Sequence, residues 1–265
     1  MRTEKLILLA AIASVSMATN QVMARTLTST CSGDIENCTT WGIDPKQWTP
    51  LSEEDVLVVN HELEIYTKYG DITIGNLTIN EGAKLLIKYG GDDYYSFRSL
   101  EVHGNLINYG CLGFDKLGNF SNLHDEAIAN GYGRLWLSVW GNVENYGTIN
   151  TNNLSLMGKD PTILSTKPMQ ISEFLIKYAK GTTRALSDLS FYNSSLTFWA
   201  GAVEDTESRG LDMGNYTLTV TADAPREPDV WWYSPVWYGE LTDMNIKFGD
   251  KGKLVINNCF ARGNT

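Results

Sequence analysis

Most of this chain is written in short runs in which apolar and polar residues alternate, each run closed by Gly, Asn or Asp. A period-two run turns one side of an extended backbone to a core and the other to water, so these runs predict strands. The clearest are Asp55–Val59, Glu62–Tyr66, Ile72–Ile74, Leu77–Ile79, Lys84–Ile87, Leu100–Val102, Asn105–Ile107, Leu135–Val139, Asn142–Glu144, Thr148–Ile149 and Asn153–Met157. Later runs are Leu189–Tyr192, Leu196–Trp199, Tyr216–Thr221, Leu241–Phe248 and Lys253–Ile256. Only Met169–Ala179 and His124–Ala129 read as a helical turn or two. The 24 glycines and 7 prolines punctuate the runs, as a turn-dense all-β chain requires.

Two of the runs open a repeated phrase. VHGNLINYG (102–110) and VWGNVENYG (139–147) share the pattern V-x-G-N-[LV]-x-N-Y-G. A wider alignment sets NLTINEGAKLLI (76–87) beside SLEVHGNLINYG (99–110) and WLSVWGNVENYG (136–147), with DKGKLVINN (250–258) echoing the second half of the first. Each unit reads strand, corner, strand, corner. A unit of ~20–25 residues cannot bury its apolar side alone, but stacking units buries a continuous core. The fold expected is a right-handed parallel β-helix (a solenoid) over residues 55–265, preceded by an N-terminal loop or cap at 25–54. Inserted loops are expected near 114–133 and 222–240. Asn105, Asn142, Asn108 and Asn145 are then corner or ladder residues, recurring with Gly because corners favour positive φ. The competing architecture is an antiparallel β-sandwich, whose strands also recur every ~8–12 residues. Against it, the repeat carries Gly-Asn corners and lacks tight Asn-Gly hairpin turns.

The stretch from 38 to 87 begins with a Trp-bearing loop containing Trp41, Gly42 and Pro45. It continues through Asp55–Val59 to a phrase built on Gly75, Leu77, Ile79, Gly82 and Leu85. This order resembles the start of the eight-glycine β-helix domain of secreted and cell-surface proteins. The later Gly-Asn lines look like the rungs of adhesin-type surface β-helices. The resemblance covers roughly residues 38–158. It implies a parallel β-helix on an exported protein and implies no reaction.

The first residues agree with export. A short basic head (Arg2, Lys5), an apolar run from Leu6 to Ala18 and small-residue patterns ending at Ala18 and Ala24 read as a signal peptide over 1–24. The run is too short to span ~30 Å of hydrocarbon, and nothing later supplies the ~20 apolar residues of a transmembrane segment. The net charge is −10; losing two cations and one anion with the leader makes it −11. An acidic surface repels phosphate backbones and excludes nucleic acid as a partner. An oxidising compartment favours disulfides, and Cys31 and Cys38 are close enough to close a small loop. Cys111 and Cys259 either bridge or pack reduced in a core. His61, His103 and His124 show no ligand spacing, so neither a metal nor another cofactor is expected.

Candidate chemistry is sparse. Trp231, Trp232, Tyr233, Trp237 and Tyr238 fall within ten residues and offer either an aromatic platform for sugar rings or an apolar lid over the stack. Glu53–Asp55, Asp92–Asp93 and Glu204, Asp205 and Glu207 are the acidic groups a polysaccharide-cleaving β-helix would use, yet no Asp recurs in the aligned units. Six Asn-x-Ser/Thr triplets are glycan acceptor candidates, two of them within predicted strands. The expectation is a secreted or surface-exposed, non-catalytic β-helix module, adhesin-like or a scaffold. It would meet an extracellular glycan, a surface protein or further copies in an oligomer. The alternative is a polysaccharide-binding or polysaccharide-degrading protein.

Overall fold

The computed structural model describes residues 24–67, 70–90, 97–114, 134–176, 181–192, 195–197, 210–221, 240–242, 246–257 and 260–261. Every strand pairing among them is parallel, which overturns the antiparallel sandwich. The chain winds in coils, and each complete coil adds one strand to each of three ladders.

The first coil holds β1 (Thr26–Thr28) and β2 (Gly33–Asp34). The next holds β3 (Val56–Val59), β4 (Glu62–Thr67) and β5 (Asp71–Ile74). It is followed by β6 (Asn76–Ile79), β7 (Lys84–Tyr89) and β8 (Phe97–Val102), then β9 (Leu106–Asn108), β10 (Cys111–Gly113) and β11 (Arg134–Val139). In the following two coils β12 (Val143–Asn145) and β14 (Thr162–Ser165) stand in the first ladder. β13 (Thr148–Leu156) and β15 (Gln170–Ile176) each run through the second ladder into the third. The last three coils are β16 (Thr182–Ala185), β17 (Leu189–Tyr192) and β18 (Ser195–Thr197); β19 (Gly210–Gly214), β20 (Thr217–Thr221) and β21 (Glu240–Thr242); and β22 (Ile246–Phe248), β23 (Lys253–Asn257) and β24 (Phe260–Ala261).

The predicted strands are the ones that bury an alternating side. Inward columns run Leu57–Leu77–Leu106–Val143–Ile163 in the first ladder and Leu63–Leu85–Leu112–Ile149 in the second. The third carries Ile72–Leu100–Leu137–Leu154. All are buried in one continuous core, and burying such a side chain contributes about 1.5–3 kcal/mol.

The two copies of the repeated phrase lie one coil apart, as expected. Ser99 registers with Trp136, Leu106 with Val143 and Asn108 with Asn145. The 76–87 line, however, stands one strand out of phase. Leu100 pairs with Ile72, and Leu77 pairs with Leu106. The pattern x-L-x-[IV] recurs in every strand, so it does not choose among three ladders; the corner residues do. Equivalent corner positions are separated by 20, 29, 37 and 20 residues. The bare coil is therefore about the shorter length, and the excess sits in excursions between strands. Gln170–Ile176 is strand, not a helical turn, because its partner β13 offers a complete ladder. The 124–129 helical reading, the leader up to residue 23 and the loops at 115–133 and 222–239 lie outside the described residues. Strands β10 and β11 flank the former loop, and β20 and β21 the latter.

The phrase's glycines serve close approach. A Cβ on Gly147 would lie 2.1 Å from the Gly110 carbonyl oxygen, and one on Gly110 would lie 2.2 Å from that of Ala83. Neither glycine, and none of the four repeated asparagines, has positive φ, which corrects the reason given for their recurrence. Gly147→Ala should lower stability by about 2 kcal/mol by forcing two coils apart. Gly82→Ala, at φ +78 with open space around the Cβ position, should cost about 1 kcal/mol. Urea unfolding followed by circular dichroism checks both.

Candidate functional site

The chemistry-bearing residues of the repeated phrase are spent on one another. Asn76 Oδ1 accepts the backbone N–H of Asn105 at 2.8 Å, Asn105 Oδ1 accepts that of Asn142 at 2.8 Å, and Asn142 Oδ1 accepts that of Thr162 at 2.9 Å. An asparagine recurs there because its short side chain reaches the next coil's N–H. A second ladder runs inside the core. Buried Asn108 donates from Nδ2 to Asn145 Oδ1 at 2.8 Å, and Asn145 donates to Ser165 Oγ at 2.9 Å. This column begins as Val59–Ile79 and becomes polar at Asn108. Every polar member has a partner, as burial demands. On the adjacent corner Tyr109 and Tyr146 stack with centroids 5.0 Å apart and rings inclined by 8°. Tyr146 also donates to Glu144 at 3.0 Å, and that bond raises its phenol above the usual pKa.

The variable position of V-x-G-N builds a second stack. His103 lies against Trp140, centroids 4.4 Å apart. Its Nδ1 is 3.1 Å from Glu53 and its Nε2 3.7 Å from Glu101. His103 and Trp140 occupy one motif position, so the alignment held this signal; a histidine and a tryptophan simply do not look alike as letters. Glu53 is thereby tied to the first repeat, and Asp55 belongs to the start of the stack. Asp55 is buried and accepts from Arg25 Nε at 2.7 Å and Nη2 at 2.5 Å, from the Ser52 N–H at 2.9 Å and from its hydroxyl at 3.2 Å. Burial alone pushes the Asp55 carboxyl up. The Arg25 and Ser52 hydrogen bonds and the Arg25 charge outweigh it and hold the group below the usual carboxylate range. Asp92, Asp93, Glu204, Asp205 and Glu207 fall outside the described residues.

One outer column has the character of a site. In the second ladder Leu86, Gly113, Asn150 and Gln170 stand in register beside the inward column Leu85–Leu112–Ile149. Leu86, Asn150 and Gln170 are nonetheless buried. Asn150 donates from Nδ2 to the Phe114 carbonyl at 3.0 Å, but its Oδ1 has no partner, and neither atom of the Gln170 amide has one. On the third ladder Trp136 is 48% exposed and registers with Asn153. Periodicity could not reveal these amides, because alternation marks them as ordinary outward residues.

The sequence-based sites fare unevenly. Trp231, Trp232, Tyr233, Trp237 and Tyr238 lie outside the described residues, as do His124 and Cys259. The Cys31–Cys38 bridge is not formed. The exposed Cys31 thiol donates to the Thr39 carbonyl at 3.4 Å and Cys38, at the start of the 3₁₀ turn Cys38–Trp41, to Asn37 Oδ1 at 3.8 Å. His61 Nδ1 sits 3.0 Å from Ser29 Oγ. Among the described residues no group of His, Cys, Asp and Glu is placed to hold a metal ion, and no helix is long and apolar enough to cross a membrane. Comparison with protein-family models, with curated proteins and with solved structures finds no match.

Asn145→Ala should cost about 2 kcal/mol, since it strips Asn108 and Ser165 of a buried partner; urea unfolding reads this. Asp55→Asn should cost about 3 kcal/mol. Because the folded-state pKa of Asp55 is depressed, its contribution is present above the unfolded value of about 4 and is lost as pH falls through the folded value. The variant should therefore lose less stability than the native chain on acidification from pH 5 to pH 2, as measured by thermal melts.

Proposed function

We propose that this chain is an exported right-handed parallel β-helix of the eight-glycine or adhesin type, acting as a non-catalytic surface module that presents loops from a rigid stack. The carrying observation is where the coils are interrupted. Residues 91–96, 115–133 and 222–239 each separate a second-ladder strand or its continuation from a third-ladder strand. The strands that flank 115–133 and 222–239 thus belong to the same two ladders, whereas 198–209 separate a third-ladder strand from a first-ladder one. Loops gathered on one flank of a rigid scaffold are a common way to build a binding surface. Right-handedness follows from the strong preference of parallel crossover connections. The leader-like first residues support export, and the acidic charge suits an extracellular glycan or protein surface over nucleic acid.

A second reading, a polysaccharide-binding or polysaccharide-degrading protein, is favoured by one further observation. Trp136 projects from the third ladder, and the incompletely bonded Asn150 and Gln170 amides lie on the second. Amides and an indole are the groups that recognise sugar hydroxyls and sugar faces.

Glycan-array binding with and without the double change Trp231→Ala/Trp232→Ala tests the display reading. Retention should fall at least tenfold while the far-UV spectrum and melting temperature stay the same. A loss of folding in the double variant would instead make these tryptophans part of the stack. Release of reducing ends or unsaturated products from acidic polysaccharides would overturn the non-catalytic assignment.

A further inference from the structure

Four of the six Asn-x-Ser/Thr triplets fall among the described residues, at Asn37, Asn76, Asn153 and Asn215, and the fold treats them differently. Asn119 and Asn193 lie outside the described residues. Asn153 is buried in mid-stack at 6% exposure, in register with Trp136 on one side and Glu173 on the other. Its Oδ1 accepts the Ser155 hydroxyl at 2.8 Å. Asn76 is half-buried, and its Oδ1 is held by the Asn105 N–H of the next coil. A Cβ on Gly104 would lie 2.3 Å from that oxygen, so the next coil rests directly on this side chain.

Asn37 has the same local bond as Asn153 and the opposite surroundings. The Thr39 hydroxyl donates to Asn37 Oδ1 at 2.8 Å, and the Thr39 N–H does so at 3.0 Å. Asn37 is exposed, just before the Cys38–Trp41 turn and outside every ladder. Both bonds end on the carbonyl oxygen, and among the described residues no group engages Nδ2. Asn215 is exposed as well, in the corner between β19 and β20 beside Gly214 at φ +50. Its Oδ1 accepts the Lys251 N–H at 3.3 Å, and its Nδ2 again has no partner among the described residues.

We propose that Asn37 and Asn215 are acceptors for an N-linked oligosaccharide, and that Asn76 and Asn153 are not. The assignment rests on the export reading, because the donor, a lipid-pyrophosphate-linked oligosaccharide, is met in a secretory compartment. In the transfer Nδ2 forms a bond to the anomeric carbon of the first sugar. The bond from that carbon to the pyrophosphate oxygen breaks, the lipid pyrophosphate leaves with the electron pair, and one Nδ2 proton passes to a base. The carboxamide oxygen keeps its lone pairs, so the Oδ1 bonds from Thr39 and Lys251 survive the modification. A saccharide is bulky and rich in hydroxyls. At the two exposed positions it stays in water. At Asn153 its hydroxyls would be buried beside Trp136 without partners, which is costly. Neither acceptor falls within 91–96, 115–133 or 222–239, so the assignment does not depend on what those stretches bind.

The test expresses the whole chain in a glycosylating eukaryotic host, once on its own leader and once preceded by a host leader. The secreted protein is treated with a peptide N-glycosidase in heavy-oxygen water, and mass spectrometry of its peptides reads each released asparagine as a heavy aspartate. Asn37 and Asn215 should convert, and Asn76 and Asn153 should remain asparagine. Asn37→Gln and Asn215→Gln should each lower the mass of the secreted chain by one oligosaccharide with an unchanged far-UV spectrum, and Thr39→Ser should keep the sugar at Asn37. An unmodified Asn37 or Asn215 in the secreted chain overturns the assignment, as does sugar on Asn76 or Asn153. Secretion with both sites modified only behind the host leader upholds the two acceptors and sinks the export reading instead.

Discussion

Everything in this protein depends on parallel strands stacking in register from one coil to the next. A coil of about twenty residues has too little apolar surface to hold itself together. When Leu57, Leu77, Leu106 and Val143 fall into one column, each seals the next and the backbone groups of successive strands pair. The same constraint explains the glycines of the repeat, whose missing Cβ lets one corner rest on the carbonyl below. It also explains the asparagines, whose amides bridge coils at the outer corner and again within the core.

Register governs where variation is allowed. Inside a ladder, insertion of one residue would move a whole alternating set to the wrong side. Between ladders, extra chain costs little, because loop closure grows slowly with length. The lengthened coils follow this division: their excess lies between strands. Ladder positions are thus held by register, whereas the lengths between ladders are free to vary. The buried Asn150 Oδ1 and Gln170 amide, like the buried Thr183 hydroxyl, lack the partners that the asparagine columns of the repeat provide for one another.

The ends of such a stack need their own solution, since a ladder has no natural stop. At the first coil Arg25, Ser52 and Asp55 form a charged clasp, with the Arg25 guanidinium 5.7 Å from the Trp48 ring. Trp41 adds the apolar cover beneath it. Among the described residues β23 leaves Leu254, Val255 and Ile256 partly exposed. That difference is invisible in composition, because the same alternating residues are buried in β20 and partly exposed in β23.

Alternation alone marked most of the strands, and the twice-written phrase 102–110 and 139–147 placed two coils in contact by its letters alone. Those features are local: they depend on period two and on residues that recur because neighbouring coils demand the same corner. What the sequence could not decide was which strand stacks on which. Val59, Ile79 and Asn108 share one column although the letters change character, and NLTI resembles SLEV while pairing elsewhere. Nor could it foresee that Cys31 and Cys38 would stay unpaired, or that outward Asn150 and Gln170 would be buried. Which strand stacks on which is set by the neighbouring coil, a long-range contact that no local pattern encodes.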